Sequence, residues 1–204
     1  MSVLSDISIL KFYHQKRIGI KPFDSRNIQP CSLDLTLLAN RPIKLLPYNY
    51  YTGRAISQIA DCFIELIAEL SSSEDRDISR FNGLADKIAR IEEENKPHTS
   101  FQLLSTREVL TLPNDIRAVI HGRSSLARLG VYIHVSAGFV DAGFSGQITL
   151  ECLNVSGKTV TLLPGDRVAQ AEFCMLDNPS IDPYKGRYQN QMGPTKSKFG
   201  HGQN

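Results

Sequence analysis

Long apolar runs are missing from this 204-residue chain. No stretch approaches the roughly 18 uninterrupted apolar residues of a membrane span, and MSVLSDISIL at the N-terminus lacks a basic segment leading into an apolar one. Both absences predict a soluble, cytoplasmic protein with no membrane partner. Cysteine is scarce as well: Cys31, Cys62, Cys152 and Cys174 never form a C-x-x-C pair, which excludes a zinc knuckle or a redox motif and predicts buried, inert thiols in a reducing compartment. There is no Walker loop, no GxGxxG run, no internal repeat and no low-complexity tract. A strong charge of one sign is also lacking. The net charge is +2 and the pI about 8.3, too weak a surplus for a duplex-binding surface, so no nucleic-acid partner is expected. From Pro183 to the end, Asp and Glu are absent altogether while Lys185, Arg187, Lys196 and Lys198 remain. Such a tail serves either general solubility or contact with a small phosphorylated ligand.

What is present supports one folded domain. Apolar residues make up 41% and charged residues 22%, enough to bury a core at this length. Leu4, Ser5 and Asp6 read as a staple and N-cap for a short helix with Ile7, Leu10 and Tyr13 on one side, ending near Arg17. Residues 18–23 and 31–38 read as extended. In the second, Leu33, Leu35 and Leu37 alternate with Ser32, Asp34 and Thr36, the pattern of a half-buried strand. Over 54–94 the period becomes helical: Ile56, Ile59, Ala60, Phe63, Ile64 and Ile67 form one stripe. After the turn SSSED a second follows with Ile78, Phe81, Leu84, Ala85, Ile88 and Ile91, before the polar stop EEENKPH. This predicts a helical hairpin that either packs on the flank of a sheet or meets a partner.

From residue 100 the chain reads as many short strands: FQLLS, REVLTLP, IRAVIHG, VYIHVS, GQITLECL, KTVTLL and RVAQAEFCML. Leu163–Pro164–Gly165–Asp166 suits a type II turn. Short strands without β-α alternation predict a mainly β fold, a sandwich, jelly roll or barrel.

Two stretches carry candidate chemistry. His121 to Gly130 places Arg123, Ser124, Ser125 and Arg128 between strand-like runs. Guanidinium forks and hydroxyls suit phosphate oxygens, although a solvated loop would use them too. In the strand after Gly146, Ile148, Leu150 and Cys152 share one face and Gln147, Thr149 and Glu151 the other, which aims Glu151 at a polar pocket or at solvent. The zinc-dependent nucleobase deaminases use H-x-E with P-C-x-x-C. No His here has Glu two places on, so a hydrolysis would rest on a carboxylate-activated water and no zinc.

GRSSLARLG followed by HVSAGFVDAGFSGQITLE closely resembles the dCTP deaminases, relatives of the trimeric dUTPases with a distorted β-barrel or jelly-roll fold. LSDISILKFYHQKRIGIKPFDSRNIQPCSLDLTL, STREVLTLPNDI and RYQNQMGPTKS agree in the family's order, whereas 50–98 does not, so the hairpin looks like an insertion. The resemblance implies hydrolytic deamination of dCTP to dUTP and ammonia in pyrimidine deoxynucleotide synthesis, with Glu151 as general base and Ser124 and Arg128 orienting water and supporting charge. It implies triphosphate contacts from Arg123, Ser125, Arg187 and Gln191, with Tyr184 and Tyr188 nearby. Further implied are a cytosine edge read by the backbone at Val135 and Ala137, a deoxyribose packed on Phe144, and a sugar and water contact at Asp141. Also implied are Mg²⁺ bound through the triphosphate, dTTP as an inhibitor, a homotrimer with active sites between subunits, and a flexible lid over 183–204. Some single-activity members carry His-Arg where this chain has Gly138-Phe139, and Lys is common at position 187. The AGFVDAGF form looks more like the enzymes that also cleave dUTP to dUMP and diphosphate. That bifunctional reading stays open, as do a plain dUTPase, against which Glu151 argues, and a non-catalytic nucleotide sensor.

Overall fold

In a computed structural model, residues 2–47, 53–72, 79–94 and 100–199 are described. The chain divides into two compact units, residues 1–47 with 100–204 and residues 48–99. In chain order the first unit begins with β1 (Ser2–Val3), α1 (Asp6–His14), β2 (Gly19–Lys21), β3 (Ile28–Gln29), β4 (Ser32–Thr36) and β5 (Ile43–Leu45). The second unit holds α2 (Gly53–Ser72) and α3 (Ser79–Glu94). The first unit then resumes with β6 (Phe101–Thr111), β7 (Ile116–Gly122), α4 (Ser124–Ala127), β8 (Val131–Tyr132), β9 (Phe139–Val140), β10 (Ser145–Asn154), β11 (Val160–Leu162) and β12 (Arg167–Met175).

The first unit is mainly β. One sheet runs β3-β4-β12-β7-β9 with β1 added to β12, a second runs β2-β6-β10-β8, and β5 pairs with β11. Leu33, Leu35, Ile120, Ala171 and Phe173 from the first sheet and Leu110, Leu150 and Cys152 from the second are buried in one core. Each fully buried aliphatic or aromatic side chain contributes about 1.5–3 kcal/mol. The sheets do not close into a barrel. Their outer members β3, β9 and β8 are two residues long and β2 is three, too short to carry a hydrogen-bonded ladder round to the other sheet; among the described residues the sheets approach at the bridge Leu37–Thr106 and at the bonds of Thr36 to Glu108.

Local chemistry sets several boundaries. Ser5 caps α1, its Oγ accepting from Ser8 N at 3.4 Å, and Asp6 sits in the first turn where the helix dipole favours an acid. The buried residue of α1 is Ile9; Ile7, expected on the apolar side, is 73% exposed. The runs FQLLS and REVLTLP form one strand, because the Thr106 hydroxyl donates to Glu108 O at 2.9 Å and accepts Ile148 N at 3.0 Å. That bond fills the register shift between Gln147 and Thr149. The turn at 163–166 closes through Asp166 N and Leu163 O at 3.0 Å, with Gly165 at φ +81.

All five residues of β4 are buried, so the expected half-buried strand is corrected. Its polar face is covered by Gln29, Arg123 and Gln170 on Asp34, and by Glu108 on Thr36. Cys31 is exposed, contrary to the expectation for the thiols; Cys62, Cys152 and Cys174 are buried, and all four are free. In the second unit α2 and α3 pack on each other, and Lys87 Nζ meets Glu65 Oε2 at 2.7 Å. Phe63, Ile64 and Ile67 of the expected helical stripe are exposed. Most of the expected turn at 71–75, Ile78 and the end of EEENKPH lie outside the described residues.

Candidate active site

The alternation of β10 buries Ile148, Leu150 and Cys152 and leaves Thr149 and Glu151 half-buried on the opposite face. Because Leu153 pairs with Tyr132, the chain leaving β8 passes beside Glu151. Two of its amides are bonded there: Val135 N donates to Glu151 Oε2 at 3.2 Å and Ser136 N to the same oxygen at 3.4 Å. Consecutive N–H groups on one oxygen fix the carboxylate's orientation and leave Oε1 to other hydrogen-bond traffic. On the core side, burial pushes the Cys152 thiol up to about 12, and the neighbouring Glu151 charge adds to the rise.

Glu151 borders a cleft of about 430 Å³. Ile148, Leu103 and Phe144 line it with apolar surface, Phe139, Tyr184 and Tyr188 supply aromatic walls, and Ala137, Asp141 and Gln191 also face it. Gly138 is required where the chain turns into this wall: a Cβ there would meet Ile120 O at 2.6 Å, while Gly138 O accepts Ile120 N at 2.7 Å. The tight contact presents Phe139 to the cleft with the Arg117 guanidinium 4.7 Å from its ring centroid. Two carboxylates, Asp141 and Glu151, line the cleft, and among the described residues no Lys or Arg does.

The C-terminal segment lies along the free edge of β10. Asn190 N donates to Ser145 O at 2.7 Å and Gln147 N to Gln191 O at 2.9 Å. Gln191 Nε2 donates to Gln147 O at 2.7 Å, Gly193 N to Gln147 Oε1 at 2.6 Å and Thr195 N to Thr149 Oγ1 at 3.1 Å. Continuing in the same sense, the segment brings Ser197 to the cleft that Glu151 borders. Arg187 and Lys198 tie the segment to itself, each side chain donating to the other's carbonyl at 2.6 Å.

Arg123, Ser124, Ser125 and Arg128 stand elsewhere. The stretch expected as a loop contains the short helix α4, in which Ser124 and Ser125 are exposed, as is Arg128 just beyond it. Arg123 Nη1 donates to Asp34 Oδ2 at 2.6 Å, and Asp34 is 0% exposed. Gln29 Nε2 and Gln170 Nε2 also donate to Asp34, each at 3.2 Å.

A family model described as dCTP deaminase-like matches residues 89–176. A dUMP-forming dCTP deaminase of Dictyoglomus turgidum is 36% identical, covering 97% of this chain and 94% of its own length. The chain belongs to the dCTP deaminase family. Members with the same name from Persephonella marina and Tropheryma whipplei (strain Twist) are 33% and 37% identical, over 97% and 96% of this chain and 97% and 91% of their own. A solved 2'-deoxycytidine 5'-triphosphate deaminase from Agrobacterium tumefaciens gives a TM-score of 0.48 at 18% identity, covering 85% of this chain and 48% of that one.

Of the family residues carried over by resemblance, one chain gathers Glu151, Ala137, Asp141, Phe144, Tyr184 and Gln191 around a cleft. Val135 contributes its amide to Glu151 and leaves its side chain exposed. Ser124, Arg128, Arg123, Ser125 and Arg187 do not line that cleft, and Gln191 uses its carboxamide to hold the C-terminal segment. Sequence reasoning missed Asp34 and Gln170, which meet under Arg123, and Gln147, a buried anchor for the C-terminal segment. The signal for Asp34 was its place in an alternating strand, read there as a solvent face.

Proposed function

We propose that this protein deaminates dCTP with a water activated by Glu151 and then cleaves the dUTP to dUMP and diphosphate. The observation that carries this reading is a carboxylate oriented by two amides at the edge of an apolar and aromatic cleft. The names of the relatives and the Gly138-Phe139 pair favour the two-step form over release of dUTP.

Water enters between Glu151 and C4 of the cytosine. Glu151 takes one proton from the water as the C–O bond forms and delivers it to N3; it then carries the remaining hydroxyl proton to the exocyclic amine, so that the C4 carbonyl forms as the C–N bond breaks and ammonia leaves. The backbone groups of 135–137 that Glu151 does not engage read the cytosine edge. Phe144, buried beside Tyr184 with centroids 5.9 Å apart, supplies the apolar face for the deoxyribose. In the second step Asp141 positions a water for attack on the α-phosphorus; the bond to the β-phosphate oxygen breaks and diphosphate departs. A plain dUTPase has no use for a base at C4.

Charge requires a second copy. A triphosphate brings several negative charges to a cleft whose charged lining residues are Asp141 and Glu151. Ser124, Ser125 and Arg128 are exposed to be shared, and Leu129, Tyr132, Val135 and Phe139 expose apolar surface that an interface would cover. In this reading the sites of a homotrimer form between copies, one giving Glu151 and the next giving Ser124 and Arg128. The nucleotide is expected to bring Mg²⁺ on its phosphate oxygens, since Mg²⁺ works with few protein ligands. When bound, it offsets phosphate charge.

The deciding experiment incubates the protein with dCTP and Mg²⁺ and separates the products. Ammonia, dUMP and diphosphate without free dUTP are expected. Accumulating dUTP removes the second step, and a folded protein releasing no ammonia overturns the proposal.

A further inference from the structure

Asp34 has no part in the chemistry proposed for Glu151, yet among the described residues it is the buried carboxylate that accepts the most hydrogen bonds. It lies mid-strand in β4, 0% exposed, paired in register with Gln170 of β12. Its Oδ2 accepts Arg123 Nη1 at 2.6 Å and Gln29 Nε2 at 3.2 Å, its Oδ1 accepts Gln170 Nε2 at 3.2 Å, and Arg167 Nη1 stands 3.5 Å from Oδ2. Burying a carboxylate is costly, and apolar side chains of similar volume commonly stabilise a fold as well or better. A buried acid that collects donors from three other strands or strand ends therefore points to a geometric requirement at one of those donors.

Arg123 is the donor that leads outward. It directly precedes Ser124, and its side chain remains 25% exposed. A guanidinium has five N–H donors in a rigid fork, and the bond to Asp34 engages one Nη1 donor, which leaves further donors of a part-exposed side chain for a ligand. We infer that Asp34 is a positioning residue for phosphate recognition: it holds the Arg123 fork in a single orientation before nucleotide arrives, so that the ordering of a long side chain is completed on folding and not on binding. Gln29 and Gln170 hold Asp34 in turn, and Arg167 supplies a second positive charge on the same carboxylate. This inference rests on the nucleotide reading above and deepens its phosphate half.

The test substitutes Asp34→Asn, which keeps the shape and turns the acceptor facing Arg123 into a donor or a weaker acceptor. Losing a charge-assisted bond of this kind predicts a rise of about tenfold or more in KM for dCTP, with kcat falling by less than KM rises. Binding of dCMP, which lacks the outer phosphates, weakens much less than binding of dCTP when both are followed by calorimetry. A dCTP KM equal to wild type overturns the inference, as does an equal weakening for both nucleotides alongside a lowered melting temperature. Should D34N fail to fold, the wild-type protein still decides. In nucleotide-free protein with ¹⁵N-labelled arginine, the Arg123 signal, assigned by its loss in R123K, is expected to show slow rotation about the bonds to its Nη atoms. Free rotation overturns the inference. Wild-type turnover of dCTP is measured first: its absence sinks the functional reading on which this rests, whereas normal turnover with an unaffected D34N sinks the inference alone.

Discussion

The Glu151 cleft and the Arg123–Arg128 segment are built from opposite materials. The cleft is walled by aromatic and aliphatic side chains, contains two carboxylates, and takes its order from backbone: two amides on Glu151 and a C-terminal segment laid along β10. The arginine segment is exposed, hydroxyl-bearing and cationic, and its order comes from a buried acid beneath it. A cleft of the first kind suits a base and a sugar but repels a polyphosphate; a surface of the second kind suits phosphate but has no apolar slot for a base. Neither is a complete nucleotide site, and each supplies what the other lacks. On the function proposed above, one copy would offer its cleft to the arginines of another.

The strongest way to break this contrast is to remove the charge that defines the cleft. Glu151→Gln keeps the bonds from Val135 and Ser136 to a carbonyl oxygen but cannot accept a proton from water. Ammonia release should fall about a thousandfold or more, within the range general-base catalysis supplies, while nucleotide binding, followed by calorimetry, changes little. Retained turnover would move the base elsewhere.

The next test asks whether the halves belong to different copies. Arg128→Ala and Glu151→Gln are each expected to be inactive alone. Unfolded together and refolded as mixed trimers, they should regain about a quarter of the wild-type activity, since random assembly pairs an intact cleft with an intact arginine segment at one site in four. If each site were built within one chain, mixing would restore nothing.

The sequence made one half of this contrast far more legible than the other. The face Glu151 occupies was readable because β10 alternates, and period is a local property, while its role came from the resemblance carried by HVSAGFVDAGFSGQITLE. Asp34 sits in an equally clean alternation, and there the same rule misleads. Which face of β4 meets solvent depends on Arg123 and Gln170, 89 and 136 residues further along the chain, and a strand's own pattern says nothing about distant cover. Likewise α4 is four residues long, less than two turns, so no helical period could announce it. The hydroxyl of Thr106 joined two expected strands into one by filling a bulge, a contact invisible until β6 and β10 are paired. In α2 the helical period was real, but periodicity identifies a face without saying what covers it, and Phe63, Ile64 and Ile67 stay exposed.

The smallest effect expected from the cleft's charge reaches the core through Cys152. Its thiol is pushed up to about 12, first by burial and then by Glu151 on the opposite face of β10. In the unfolded chain the same thiol ionises near its ordinary value of 9.0. Below that value both states carry the proton and pH has no effect through this group. Above it the unfolded state loses the proton while the folded state keeps it, so stability falls as pH rises from about 9 toward about 12. Cys152→Ala should remove that part of the alkaline slope, and Glu151→Gln should lessen it by removing the second cause while leaving burial in place. Thermal melts at pH 8 and pH 10.5 for the three proteins measure this directly: wild type loses the most between the two conditions, the Gln variant less, the Ala variant least. An identical slope in wild type and the Ala variant would mean that Cys152 does not sense the fold this way. A Gln variant matching wild type would mean that the Glu151 charge is spent entirely on the cleft side of the strand.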